Sequence, residues 1–401
     1  MIVKISINQL KIGMYVNDLN YVWEKHPFAW QCFTIEDAAT LNQIAGSGIT
    51  KIYIDTSKGA DVDAVEASIA GENDESLNEP SAILPGIVSR ISPIEEFKRA
   101  KELYSNANKL MQGMMKDVRL GKQVELEQCE PMVDNIIDSV FRMPSALLPL
   151  AQMKTVDEYT FQHSVSVAAL AVAFGRVLNM PRDEIKALAL GGLLHDVGKA
   201  KVPGHILNKA GKLDDAEFAV MKKHVSDTAV LLKDAKGVSE IIFNAAAQHH
   251  ERYDGTGYPH GLKNDQISLH GQMLAIVDVY DAITSIRVYH KGMQPTEALR
   301  KMFGWSGMHF NPELVQAFIK GIGIYPAGSL VRLESERLGI VREVLPDKLL
   351  QPVVQLIYDC KKMRYIPTER VGLSASNDKI KSHESFEKWG INQAEWATVN
   401  T

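Results

Sequence analysis

Cysteine is scarce in this chain: three residues in 401, at Cys32, Cys129 and Cys360, far apart and without a CxxC pair. That excludes a disulfide scaffold and a zinc ribbon, and points to a reducing, cytoplasmic setting. Long apolar runs are also missing. The longest, around Val165 to Phe174, falls well short of the roughly 20 residues that span a bilayer. The opening stretch Met1 to Asn8 alternates like a strand and has no apolar core of a secretion signal. Nor is there an excess of positive charge. With 44 Lys and Arg against 49 Asp and Glu, the net charge is -5, which excludes a non-specific binder of polymeric nucleic acid. A small anionic ligand needs only a local positive pocket and stays open.

What is present is an ordinary globular composition, 45% hydrophobic and 23% charged, in a chain too long for one core. Residues 1–70 read as a small α+β domain, with strands over Lys4 to Tyr15 and Lys51 to Asp55 and a helix over Thr34 to Ser47. Residues 71–93 turn acidic and poor in aromatics, as a linker does. Residues 94–150 have helical periodicity through Phe97, Leu103, Leu110, Met114, Met132, Ile136 and Val140. This connector suits a spacer or a dimer stalk, and best suits packing on the next domain. Residues 151–325 are helical nearly throughout. Pro181 opens one helix, which is expected to run to His195-Asp196 and stop at Gly198; Asp214 with Glu217 forms a capping box for another. Residues 326–401 carry β-branched runs at Ser329 to Leu333, Leu338 to Val344 and Val353 to Ile357, predicting a small β appendage and a loose tail. The expected class is therefore mainly α, a helical bundle between a small α+β domain and a small β appendage.

Five histidines and two aspartates in the helical domain stand at spacings that suit a metal cage: His163, the pair His195-Asp196, His224, the pair His249-His250, and Asp278. His163 lies on one stripe with Tyr159, Val167, Leu170 and Phe174, so it faces inward. Alone it would be an ordinary core histidine. Neighbours on a helix diverge by about 100°, so each adjacent pair can serve two sites or bridge them. Asp278, in Ile276-Val277-Asp278-Val279-Tyr280-Asp281, puts a carboxylate on an apolar helix, which is costly unless a cation meets it. Imidazole and carboxylate without thiolate suit first-row divalent ions in a catalytic site.

The order H…HD…H…HH…D resembles the HD-domain phosphohydrolases. His195-Asp196-Val197-Gly198-Lys199 and His249-His250-Glu251-Arg252-Tyr253-Asp254-Gly255-Thr256-Gly257-Tyr258-Pro259 resemble the HD-GYP family of bacterial cyclic-di-GMP phosphodiesterases, over roughly residues 151–325. Gly13-Met14-Tyr15-Val16 and His26-Pro27-Phe28 resemble a small domain often found ahead of it. The resemblance implies two divalent metals, Fe or Mn before Zn, Ni, Co or Mg, held by the seven ligands, with Asp196 shared between them. It implies that Lys199 neutralises phosphate charge, and that Asp254, Gly255, Gly257, Tyr258, Pro259, Arg287 and Lys291 line the substrate site. It also implies partners such as a diguanylate cyclase through the loop or the N-terminal domain, and is compatible with a homodimer.

Departures from the family pattern are Val225 and Thr228 after His224, Val288 after Arg287, and His290 ahead of Lys291. They bear on the shape of the nucleotide pocket, so cyclic-di-GMP and a mixed cyclic GMP-AMP dinucleotide both stand as substrates. A phosphohydrolase of a mononucleotide or alarmone, a catalytically weak cyclic-dinucleotide sensor and a partner-binding protein are the other readings. Three-metal relatives carry a Glu four residues before the first histidine ligand. Here that position is Tyr159, and Glu158 and Asp157 point away from His163, so two metals are expected.

Overall fold

The computed structural model describes residues 2–18, 33–35, 41, 44, 51–56, 60, 93–152, 159–209, 211–285, 292–345 and 348–392. The chain divides into two compact units, Met1–Val88 and Ser89–Thr401. In the first, β1 (Ile2–Ser6), β2 (Tyr15–Asp18), β3 (Phe33–Thr34) and β4 (Lys51–Asp55) form an antiparallel sheet in the order β1-β4-β2-β3. The expected Lys4 to Tyr15 strand is broken. A 3-10 turn at Ile7–Gln9 intervenes, with Gln9 Oε1 accepting from Ser6 N, and the chain crosses to the far side of β4 to enter β2, which runs in the same direction as β1. Of the helix expected over Thr34 to Ser47, Leu41 and Ile44 are helical and Thr34 ends a strand; its other residues, apart from Ile35, lie outside those described, as do His26-Pro27-Phe28.

In the second unit, α1 (Pro93–Arg119), α2 (Leu126–Arg142) and α3 (Pro144–Gln152) precede α4 (Tyr159–Val177). The connector is part of the bundle. Ala107, Met111, Val133, Ile136, Ile137 and Leu147 share one core with Val165, Ala168, Ala169 and Val172 of α4. Those four positions form one helical stripe. The opposite stripe, Val167, Leu170, Ala171 and Phe174, enters a second core. Burial on both sides explains why α4 is apolar all round. Next come α5 (Arg182–Leu194), the short turn α6 (Gly204–Leu207), α7 (Asp215–Lys233) and α8 (Glu240–Gln248). The capping box opens α7 as expected: Asp214 Oδ1 accepts from Glu217 N at 2.9 Å, and Glu217 Oε2 accepts from Asp214 N at 2.9 Å. The bundle ends with α9 (Leu269–Thr284), α10 (Pro295–Gly304) and α11 (Pro312–Ile322), and the second core closes where Phe318 meets Phe174 and Tyr280 edge-on at 5.2 Å.

The final segment contains more strand than its pattern suggests. β5 (Leu330–Leu333), β6 (Arg337–Glu343), β7 (Val353–Asp359), β8 (Arg364–Gly372) and β9 (Ile380–Glu384) form an antiparallel sheet in the order β8-β7-β6-β5-β9. The expected loose tail is thus ordered into strand through Glu384. β8 is exposed along most of its length, so it lacks the run of four consecutive buried residues that marks β6 and β7. Among the described residues, no helix is long and apolar enough to cross a membrane.

Candidate metal centre

Five helices bring the seven sequence-predicted ligands to one place. His163 comes from the first turns of α4, His195 and Asp196 from the end of α5, and His224 from α7. His249 and His250 come from the end of α8, and Asp278 from α9. Six of the seven are buried; His250 is partly so. Three groups lie close enough to share an ion: His163 with His195 and Asp278, His195 with Asp196 and His249, and His224 with His249 and His250. Asp196 stands between two of these clusters. Its Oδ2 is 3.3 Å from His195 Nε2 and 3.7 Å from His163 Nε2, while its Oδ1 is 3.3 Å from His224 Nε2. His163 Nε2 is 2.9 Å from Asp278 Oδ1, and His250 Nδ1 is 3.8 Å from Asp278 Oδ2.

The backbone fixes how these rings present their nitrogens. Nδ1 of His195, His224 and His249 each lies 2.7 Å from the carbonyl three residues earlier, on Gly192, Met221 and Ala246. A carbonyl can only accept, so Nδ1 carries the proton and Nε2 turns its lone pair inward. His163 is oriented by a carboxylate instead, its Nδ1 lying 2.5 Å from Asp281 Oδ2. Among the described residues, Nε2 of His195, His224 and His249 and Oδ1 of Asp196 are buried without a hydrogen-bond partner. Buried polar atoms are rarely left so. Four orphaned donors converging on one space fit divalent cations, since ligands on an ion with bonds of about 2.0–2.2 Å stand roughly 3 Å apart.

Electrostatics point the same way for His224, His249 and His250, while His195 differs because two carboxylates face it. Burial pushes His224 down to about 4 and His250 down to about 3, and takes His249 well below its usual range. Neutral imidazoles at neutral pH are what a cation requires. Burial also pulls on His195, but Asp196 and Asp278 beside it outweigh that and hold it at about 10. Burial opposes ionisation of Asp196, yet His195 and Lys199 hold its carboxyl well below the usual range. Lys199 Nζ bonds Asp196 Oδ2 at 2.5 Å.

The turn after α5 is not stopped by Gly198 as expected. The helix ends at Leu194 with His195 as its cap, and a 3-10 segment, Val197–Lys201, follows. Gly198 serves a close approach instead, because a Cβ there would lie 2.1 Å from the His224 carbonyl oxygen. Thr228 clamps this turn to α7. Its Oγ1 accepts from Gly198 N at 2.9 Å and donates to His195 O at 3.0 Å.

The loop after His249-His250 is anchored by Glu251, whose carboxylate accepts from His260 N at 2.7 Å and Leu262 N at 3.0 Å. Gly255 has φ +82°, and a Cβ on Gly257 would lie 2.3 Å from Arg252 N, so both glycines are required by the backbone. Tyr258 N donates to His250 O, its ring lies 4.8 Å from the His250 ring, and the Tyr258–Pro259 peptide is cis. Asp254 Oδ1 is engaged by the Thr256 amide and hydroxyl, which makes this carboxylate a turn-former. Arg287, Val288, His290, Lys291, Asp157 and Glu158 lie outside the described residues, as does the Tyr159 side chain. Sequence reasoning gave no role to Asp281, Glu251 or Thr228. Asp281 had a signal, lying one turn beyond Asp278 on an apolar helix.

A helical bundle with buried histidines and aspartates from five helices, two of them the adjacent pair His195-Asp196, defines a metal-dependent HD-domain hydrolase, and the model of the HD domain matches residues 144–314. A domain of unknown function matches residues 2–129. A cyclic di-GMP phosphodiesterase of Pseudomonas aeruginosa is 41% identical over 395 residues, 98% of this chain and 94% of that protein. The chain therefore belongs to the HD-GYP family. A 3'3'-cGAMP-specific phosphodiesterase of Vibrio cholerae is 38% identical over 160 residues, 40% of this chain and 37% of that one. Among solved structures, an HDG"Y"P protein from Bdellovibrio bacteriovorus aligns with TM-score 0.48 and 17% identity, over 79% of this chain and 98% of that one.

Proposed function

We propose that this protein is a metal-dependent phosphodiesterase that opens a cyclic dinucleotide, cyclic-di-GMP first, to the linear dinucleotide and onward to GMP. The observation that carries the reading is Asp196: one carboxylate whose two oxygens face histidines of different clusters. In this assignment His163, His195 and Asp278 would hold one cation, His224, His249 and His250 would hold the second, and Asp196 would serve both. Fe or Mn suits this nitrogen-rich set with carboxylate oxygen. Bound divalent cations lower the pKa of water toward neutrality and offset charge on the phosphate in the transition state.

The protein's own groups do the rest. Asp281 fixes the ring of His163, and the carbonyls of Gly192, Met221 and Ala246 fix three more. Lys199 sits one ion pair away from the reacting phosphate. Lys199, whose Nζ is held beside the cluster by Asp196 Oδ2, is the ammonium that would neutralise a phosphate oxygen. Arg287 and Lys291 are assigned contact with substrate phosphate by the family resemblance. Gly255, Gly257, Tyr258 and Pro259 form the wall behind His250. On this reading the protein works in the cytoplasm, and the loop exposes Arg252, Thr256 and His260 to a partner such as a diguanylate cyclase.

Two relatives with different named substrates, cyclic di-GMP and 3'3'-cGAMP, keep the mixed dinucleotide as the second reading. The deciding experiment is incubation of anaerobically metallated protein with cyclic-di-GMP, cyclic GMP-AMP, GTP and guanosine tetraphosphate, with products identified by mass spectrometry. Linear dinucleotide from cyclic-di-GMP is expected. Turnover of the mononucleotides alone would overturn the proposal.

A further inference from the structure

On the rim beside His250 stands an aromatic–cation bracket that plays no part in the metal centre. Phe218 and Lys222 are one turn apart on α7, the helix that carries His224, and Tyr258 faces them from the loop. Phe218 is 46% exposed, so one face of its ring is open to a ligand. Its ring lies 6.5 Å from that of Tyr258 at 82°, and Tyr258 in turn lies against His250. Lys222 Nζ lies 5.2 Å from the centre of the Phe218 ring and 5.8 Å from that of Tyr258. Lys222 forms no ion pair among the described residues, and its ammonium lies over these two rings.

We propose that this bracket is a base-recognition subsite: the open face of Phe218 stacks on a purine base of the substrate, and Lys222 meets the anionic backbone attached to it. This deepens the proposed function and rests on it. An exposed ring next to an unpaired cation matches a nucleotide's two parts, a flat apolar base and a charged phosphate. Stacking is tolerant of base identity, so the bracket supplies affinity for purine dinucleotides without choosing between guanine and adenine. Tyr258 holds the bracket at the metal centre, because its other neighbour is a histidine of that centre.

The test separates the base from the phosphate. Phe218→Ala and Phe218→Leu are compared with wild type for cyclic-di-GMP turnover and for inhibition by inorganic phosphate, an anion without a base. Loss of stacking should raise KM roughly 5- to 100-fold with kcat little changed. The phosphate inhibition constant should stay unchanged, and Phe218→Tyr should restore KM. Lys222→Gln should raise KM and weaken its dependence on salt. Phe218→Leu matching wild type, or phosphate inhibition weakening in step with KM, would overturn the subsite. If wild type turns over no cyclic dinucleotide at all, the proposed function fails and the subsite falls with it.

Discussion

At the residue scale the centre depends on where each nitrogen points. Lys199 is held by Asp196 at the edge of the cluster, and the proposed function gives it a phosphate oxygen to neutralise. Lys199→Ala should keep the metals and lower kcat by roughly 10²–10³, the effect of losing one donor to developing charge. A rise in KM alone would instead mark a ground-state contact. Thr228 is the second case. Thr228→Val keeps the shape but strands Gly198 N–H and the His195 carbonyl, each costing about 1–3 kcal/mol when buried. The variant should melt earlier than wild type, whereas Thr228→Ser should not. The ligands were legible in sequence because adjacent His-Asp and His-His pairs are out of place in apolar helices. Thr228, Glu251 and Asp281 were not, since each acts through a partner distant in sequence: residues 30, 9 and 118 positions away.

At the scale of elements, period and caps were readable where a single face or a local contact decides. The Asp214–Glu217 box and the inward stripe of α4 are examples. β8 escaped because its neighbour on the sheet, not its own burial, makes it a strand: Gln355 pairs with Arg370 and Leu356 with Glu369. The 3-10 turn at Ile7 escaped because alternation resumes just after it, shifted by one residue from Ile5 and Ile7 to Leu10, Ile12 and Met14. The loop after α8 is a case where local residues and global packing agree. Gly257→Ala forces a methyl against the backbone of Glu251 and Arg252, which cannot give way as a flexible side chain would. It should abolish turnover while quantitative analysis still finds the metals bound. Full activity in this variant would mean that the loop's close approach is dispensable.

At the scale of the molecule, one core joins the connector to the bundle, so residues 89–401 should fold as a unit with a single cooperative melt, and a chain starting at residue 144 should be insoluble. The C-terminal sheet adds a pH dependence. His383 on β9 is held by burial down to about 4, and both its ring nitrogens are buried without a hydrogen-bond partner among the described residues. Its pKa is lower folded than unfolded, where it is near 6.5, so the unfolded chain binds the extra proton between those values. Stability from this group is full above about pH 6.5 and is lost as pH falls toward 4. The Tm difference between wild type and His383→Leu should therefore shift against wild type from pH 7 to pH 5; a constant difference would show that the ring is already protonated or solvated.

The shared carboxylate is the point on which the account turns, and metal stoichiometry tests it most directly. Fully reconstituted wild type and Asp196→Ala are compared by elemental mass spectrometry after removal of free metal. Two equivalents in wild type and loss from both sites together in the variant are predicted, because Asp196 Oδ1 and Oδ2 face different clusters. Two equivalents retained by Asp196→Ala, or three bound by wild type, would contradict it.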